Sequence, residues 1–343
     1  MKKKNPSKES LDKNVATSSE KNNTPQSEPH EDQKNTTYEP TINTQPQHIS
    51  DKDLLSAIFN RLAEGATDDQ KKICDKTIRN YIIQSVVENS VLKKYNVIIL
   101  HDEGRMVKSD ADNIYNAITD FKEEKSILLV LYSTGGSIAS AYLIGKLCRE
   151  NSHDDFVVVV PRQAKSAATL ICCAADQIHM GSLSELGPID PQIDELPALG
   201  LKNSVEHLAE LVKRYPEASD MFAKYLSISL KPIHLGYYER VAESASQYAE
   251  RLLQTHASNL KGKPKQIAHD LVYNYKDHAF VIDKREAEDI FGDNIIKTKT
   301  QEYNLGNSIY QVMSLISRIA DLLGHYFYFI GSLDGTPIFK KRN

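Results

Sequence analysis

An α/β fold with a mainly parallel sheet flanked by helices is what this sequence predicts, and three observations carry the expectation. Buried-strand runs recur at Val97-Ile-Ile-Leu100, Ile127 to Leu131 and Phe156-Val-Val-Val-Val160. Helix-period patterns stand between them, near Ala111 to Phe121 and again from Ile138, where Ala141, Tyr142, Gly145 and Cys148 fall on one face. Strand and helix in alternation build β-α units, which set successive strands parallel and cover the sheet with helices.

Taken in order, the 343 residues divide into four pieces. Residues 1–50 are rich in Lys, Ser, Asn, Gln, Thr and Pro and nearly lack aliphatic side chains. Such a segment cannot offset the entropy of ordering, so a disordered tail is expected. Residues 51–95 carry Leu54, Leu55, Ile58, Phe59 and Leu62, then Ile78, Ile82, Ile83, Val86 and Val87, at helical spacing. A helical N-terminal arm, docking on a partner the sequence does not name, is expected there. Residues 96–300 hold the β-α units and, beyond Asp190, a mostly helical stretch from Ser204 to Leu260. In residues 301–343 a helix over Ile309 to Leu323 precedes a hairpin, with Tyr326-Phe-Tyr-Phe-Ile330 turning at Asp334-Gly335 into Pro337-Ile-Phe339.

Charge and composition narrow the class. The 42 basic and 46 acidic residues leave a net charge of −4, without the basic excess that nucleic-acid binding requires. No apolar segment follows Met1-Lys-Lys-Lys4 and no run reaches the roughly 18 to 20 apolar residues of a membrane span. A cytoplasmic protein is therefore expected. Cys74, Cys148, Cys172 and Cys173 show no C-x-x-C spacing and read as reduced core thiols, with Cys172 or Cys173 as a nucleophile the weaker reading. The histidines show no metal-ligand spacing.

The segment most suggestive of chemistry is Pro161-Arg-Gln-Ala-Lys-Ser166-Ala-Ala-Thr-Leu-Ile171. It follows a strand and opens a helical pattern, so Ser166 sits on a strand-to-helix turn beside unpaired backbone N–H groups, a nucleophile's position. Serine also caps helices well, and that structural role competes with the chemical one. A second element, Ser133-Thr-Gly135-Gly136-Ser137, ends the strand at Leu131 with paired glycines. Without a β-carbon at Gly135 or Gly136, backbone N–H groups can be aimed closely at an oxyanion; the competing role is a tight turn. No G-x-G-x-x-G or P-loop pattern is present.

These two motifs, with Met180-Gly-Ser-Leu-Ser-Glu-Leu186-Gly-Pro-Ile-Asp190-Pro-Gln192 after them, resemble the Clp-fold serine peptidases. The likeness is to the serine dehydrogenase proteinase family, related to signal peptide peptidase A and to ClpP. It spans roughly residues 95 to 300 and is implied to bring a ClpP/crotonase-like fold with helical additions. It also implies a serine nucleophile at Ser166, a peptide or protein substrate, no cofactor, and a homo-oligomer. The oxyanion hole would combine the Ala167 N–H with one from Gly135 or Gly136, Gly136 being preferred by analogy.

A serine hydroxyl needs a base. In ClpP a histidine follows the nucleophile in a short motif that here reads Gly187-Pro-Ile-Asp190-Pro-Gln192, with no histidine. That departure favours the Ser/Lys dyad of the signal peptide peptidase A relatives. Lys224 is the first candidate, in Met221-Phe-Ala-Lys-Tyr-Leu226, and Lys231, beside Pro232, the second. A lysine base must lose its charge through burial or a cationic neighbour. His278, in a segment that also resembles this family, is kept as an alternative base, and Asp190 either orients the site or begins a turn. His179 reads as structural, and Lys165 as pointing away from its neighbour Ser166. Two other classes compete with an ATP-independent peptidase: a non-catalytic Clp-fold scaffold, and a crotonase-type acyl-CoA enzyme, which would not need the serine.

Overall fold

The alternation of strand runs and helical patterns becomes, in a computed structural model, a sheet of nine strands among the described residues, set between two helical layers. Residues 48–193, 196–229 and 232–342 are described; all but the last three residues of the expected N-terminal tail lie outside them. In chain order the elements are α1 (Asp51–Leu62), α2 (Asp68–Val86), β1 (Tyr95–Asp102), α3 (Lys108–Thr119), β2 (Ser126–Ser133), α4 (Ile138–Glu150) and β3 (Val157–Val160). Then come β4 (Gln163–Ala164), α5 (Ala167–Cys172), β5 (Gln177–Met180), β6 (Glu185–Leu186), β7 (Gln192–Ile193) and β8 (Leu196–Pro197). The helices α6 (Ala198–Arg214), α7 (Ser219–Ser229), α8 (Pro232–Gln254), α9 (Pro264–Tyr273) and α10 (Lys284–Phe291) follow. The last elements are β9 (Ile296–Lys297), α11 (Gln301–Leu322), β10 (His325–Ser332) and β11 (Pro337–Lys341).

The main sheet runs β11-β10-β1-β2-β3-β5-β9, with β4 beside β2 and β6 beside β4. From β1 to β9 neighbouring strands are parallel, while β10 runs antiparallel to β1 and β11, antiparallel to β10, forms the other edge. Because side chains alternate across a strand, each apolar run feeds two cores at once. Ile98, Leu100, Leu129, Leu131, Val158 and Val160 pack toward α3, α4 and α5. Val97, Ile99, Leu128, Val130, Val157 and Val159 pack toward α2 and α11. That is why these runs are continuously apolar.

The N-terminal arm finds its partner within the chain. Leu54, Ile58, Ile78, Ile82 and Val86 are buried in the same core as Ile309, Val312, Met313 and Ile316 of α11, whereas Leu55, Phe59 and Val87 stay exposed. Ser50 and Thr67 cap α1 and α2, each with a reciprocal capping box. The hairpin forms as expected, Phe329 pairing with Pro337 and Phe327 with Phe339. Among the described residues no helix is long and apolar enough to cross a membrane.

Candidate active site

The site grows from the carboxyl ends of the central parallel strands, where open α/β sheets place their ligands. After β3 the chain turns through Pro161 and the two-residue β4, whose Ala164 pairs with Ser133 of β2. Ser166 follows with φ 53° and ψ −117°. Only glycine adopts that combination without strain, and a serine held there is the geometry of a nucleophile elbow. The capping role fails at Ser166: it occupies the position before α5, yet its side chain makes no cap hydrogen bond. The half-buried hydroxyl engages no partner among the described residues.

The glycine loop stands directly against this turn. A β-carbon on Gly135 (φ 104°) would lie 2.7 Å from Lys165 O, 2.9 Å from Ser166 Cβ and 3.1 Å from Ala167 N, so only glycine fits. Gly136 forms an isolated parallel bridge with Met106. The bridge uses the flanking groups: Met106 N–H donates to Gly135 O (2.8 Å) and Ser137 N–H donates to Met106 O (2.9 Å). In a trans peptide the C=O and the following N–H point opposite ways, so with Gly135 O turned to Met106 the Gly136 N–H points away from it. Neither the Gly136 N–H nor the Ala167 N–H finds an acceptor among the described residues. Two unengaged donors beside an unengaged hydroxyl suit acyl transfer, where a tetrahedral oxyanion needs such donors.

Of the candidate lysines, Lys224 is placed in solvent. Lys224 lies on α7 with its side chain 74% exposed, its Nζ donating to Asp220 Oδ2 at 2.7 Å. An exposed, ion-paired ammonium has none of the desolvation a neutral lysine base requires. Lys231 lies outside the described residues. Lys165 does turn away from Ser166: its ammonium reaches Leu186 O (3.2 Å), Phe280 O (3.3 Å) and Glu185 Oε2 (3.2 Å).

His278 faces a buried carboxylate. Its Nδ1 lies 3.7 Å from Asp190 Oδ2, and neither that nitrogen nor Asp190 Oδ1 has a hydrogen-bond partner among the described residues although both are buried. Asp190 is 6% exposed and takes Gln192 Nε2–H on Oδ2 at 2.9 Å. Separations of this kind in an unliganded site tighten when substrate is bound. The contacts that bring this segment beside the nucleophile turn are long-range: Lys165 reaches Phe280 O across 115 positions. Leu186 and Ile282 exchange backbone hydrogen bonds of 2.9 and 3.1 Å. Thr169 Oγ1, 2.7 Å from Ala164 O and 2.8 Å from Gly187 O, accepts the Gly187 N–H at 3.1 Å and so fixes the loop leading to Asp190. Neither the Thr169 brace nor the Lys165 strut was foreseen from sequence, because each acts through backbone carbonyls that no motif encodes.

The remaining candidates are structural. His179 is buried on β5, its Nδ1 2.7 Å from Thr300 Oγ1, and burial pushes its pKa down to about 4. Cys172 and Cys173 are fully buried, and burial raises both thiols well above their usual range, the opposite of nucleophile activation. Asp283 caps α10 by accepting from Arg285 and Glu286 N–H, while the Glu286 carboxylate accepts from Tyr275 OH (2.7 Å) rather than closing a capping box. Beside the glycine loop a cavity of about 1080 Å³ opens, lined by Ile138, Ala139, Tyr237, Val241, Ala245 and Tyr248.

Residues 104–220 match the family model described as ClpP-like SDH-type serine proteinase. Two uncharacterised proteins of Methanocaldococcus jannaschii are similar: one is 36% identical over 97 residues, 28% of this chain and 34% of the relative. The other is 31% identical over 103 residues, 30% and 35% of the two chains. The matches thus span about a third of the curated relatives' length. Among solved structures, a mutant of the 1510-N membrane-bound stomatin-specific protease aligns with a TM-score of 0.39 and 14% identity, covering 65% of this chain and 85% of that one. The matched segment contains Gly135, Gly136, Ser166 and Asp190, and over that segment the chain is similar to the ClpP-like SDH-type serine proteinases.

Proposed function

We propose that the chain is a serine peptidase that hydrolyses peptide bonds through an acyl-enzyme on Ser166. His278 serves as general base, Asp190 orients it, and the Gly136 and Ala167 N–H groups form the oxyanion hole. The observation that carries this reading is the backbone of Ser166, held at φ 53° and ψ −117° without serving as a cap. Strain of that kind persists where the surrounding structure enforces it, most often at active sites. For the base, the carrying observation is the His278–Asp190 approach of 3.7 Å, set against the exposed ion pair of Lys224.

The reaction then runs in two halves. Ser166 Oγ attacks the peptide carbonyl carbon as its proton passes to the imidazole, and the oxygen that gains charge turns to the two N–H groups. The imidazolium gives the proton to the leaving amine and the C–N bond breaks. Water attacks the ester, losing a proton to the same imidazole, and the acid is released as Ser166 recovers its proton. No cofactor and no ATP enter these steps. The apolar cavity at Ile138 and Tyr248 supports a preference for peptides with a large apolar side chain next to the scissile bond. Met221, Tyr225, Ile228 and Ile233, all at least 60% exposed on α7 and α8, support assembly into a homo-oligomer.

A fluorophosphonate probe read by intact mass tests the reading. The expected result is one adduct on the parent, none on Ser166→Ala, and labelling slowed by about 100-fold or more in His278→Ala. Lys224→Ala and Lys231→Ala should label at nearly the parent rate. Silence of either lysine variant with full labelling of His278→Ala would install the Ser/Lys dyad instead. An oligomeric, folded parent that never labels would favour the scaffold.

A further inference from the structure

The serine-nucleophile reading makes no use of Asp102, a carboxylate buried against the oxyanion loop. Asp102 ends β1 and Ser133 ends β2; the two are register partners, 1% and 0% exposed. A buried carboxylate is expensive unless its oxygens are satisfied. Oδ1 accepts the Gly104 N–H at 2.7 Å, closing a turn, while Oδ2 has no hydrogen-bond partner among the described residues. Burial pushes this carboxyl up to about 6, with Asp110 of α3 raising it further and Lys340 of β11 and the neighbouring Ser133 hydroxyl acting the other way. Tyr328 of β10 also faces this corner, its hydroxyl against Gly104.

From that turn a series of contacts leads to the oxyanion loop. Gly104 O accepts the Thr134 hydroxyl at 2.7 Å. Met106, two residues on, takes Ser137 N–H and gives its own N–H to Gly135 O. Ser133 holds the loop from the other end: its Oγ accepts Gly135 N–H at 3.1 Å, and its carbonyl accepts Lys165 N–H at 3.0 Å, immediately before Ser166. Both peptide planes that flank Gly135 are therefore fixed, and the second of them carries the Gly136 N–H. With the Gly135 carbonyl held by Met106, planarity leaves that N–H only the opposite direction.

We infer that Asp102 and Ser133 are positioning residues of the oxyanion hole, holding the 102–106 turn and the 133–137 loop in the pose that turns the Gly136 N–H away from Met106. The inference rests on the Ser166 reading. Neither residue touches substrate; each acts through the peptide that does. Losing one oxyanion donor outright costs about 100-fold to 1000-fold in rate, so loosening its aim should cost about tenfold. A donor that forms its bond only in the transition state changes the rate and leaves ground-state binding alone.

The test follows fluorophosphonate labelling of the full chain against probe concentration, separating the maximal rate from the half-saturating concentration. Asp102→Ala, which removes the acceptor of the Gly104 N–H, Ser133→Ala, and the double variant are compared with the parent, with thermal melts to establish folding. The expected result is a maximal rate about tenfold lower in each single variant, an unchanged half-saturating concentration, and a double variant no slower than the slower single. Parent-like maximal rates in the folded Asp102→Ala protein, losses confined to the half-saturating concentration, or losses that multiply in the double variant would overturn the inference. An unlabelled parent would overturn the Ser166 reading instead, and the inference with it.

Discussion

At the scale of single residues, Ser166 is held at positive φ with ψ −117°, where a β-carbon is strained at a cost of about 1 to 3 kcal/mol. The strain belongs to the backbone and not to the hydroxyl, which separates two substitutions that both remove the hydroxyl. Ser166→Ala keeps the β-carbon and the strain, whereas Ser166→Gly removes both. After allowing for the extra freedom glycine gains in the unfolded chain, Ser166→Gly should be the more stable by about 1 kcal/mol. Urea midpoints of the two variants check this, and an alanine variant as stable as the glycine one would contradict it. Gly135 shows the complementary constraint, since any β-carbon there would strike the nucleophile turn itself.

At the scale of elements, the close approach of α11 to the sheet depends on one missing side chain. A β-carbon on Gly306 would lie 2.4 Å from Val159 Cγ1 and 3.0 Å from its Cβ. Gly306→Ala would gain about 1 kcal/mol of helix propensity in the middle of α11. The overlap is with a β-branched side chain on a buried strand, which has no room to rotate, and overpacking of this kind costs about 1 to 3 kcal/mol. The clash should win: Gly306→Ala lowers the unfolding midpoint, and Val159→Ala added to it restores part of the loss. A stabilised single variant would mean that α11 can shift outward, and that its packing on β3 is looser than described.

For the molecule as a whole, stability should fall with acid. Burial holds His101 down to about 3 and His179 and His256 to about 4, against an ordinary value of 6.5. Their unfolded forms take up protons from pH 6.5 downward while the folded forms resist, so the stability they contribute is complete above pH 6.5. It is lost as pH falls toward 4. Asp102, raised to about 6, works in the other direction: its contribution is present below 3.8 and is lost as pH rises through 6, which softens the acid slope. Burial raises Asp75, Glu103, Asp110 and Asp176 as well; the three histidines, whose unfolded forms take up protons within this window, should still leave a net decrease in melting temperature from pH 7 to pH 5, readable by scanning calorimetry. The decrease should shrink in His256→Gln. A melting temperature that rose on acidification would show the raised carboxyls to dominate.

What the sequence determined by itself was everything that short range encodes. Continuous apolar runs require strands buried on both faces, and their alternation with helical patterns requires parallel β-α units; both follow from side-chain periodicity alone. The paired glycines and the strand-to-helix serine were legible for the same reason, since each feature lies within a few residues. Tertiary structure decided what depends on distant meetings. Asp190 reads locally as a turn residue, and only the packing of the 276–282 segment over Lys165 and Leu186 sets it facing His278. Lys224 offers the apolar neighbours of a buried base in sequence, yet its side chain emerges into solvent on α7. The apolar stripe of the N-terminal arm signals a partner but not which one, and the answer, α11, lies more than two hundred residues on. Periodicity specifies which face of an element seeks burial, while the identity of the group it meets is set by how loops of many residues close, which no local pattern records.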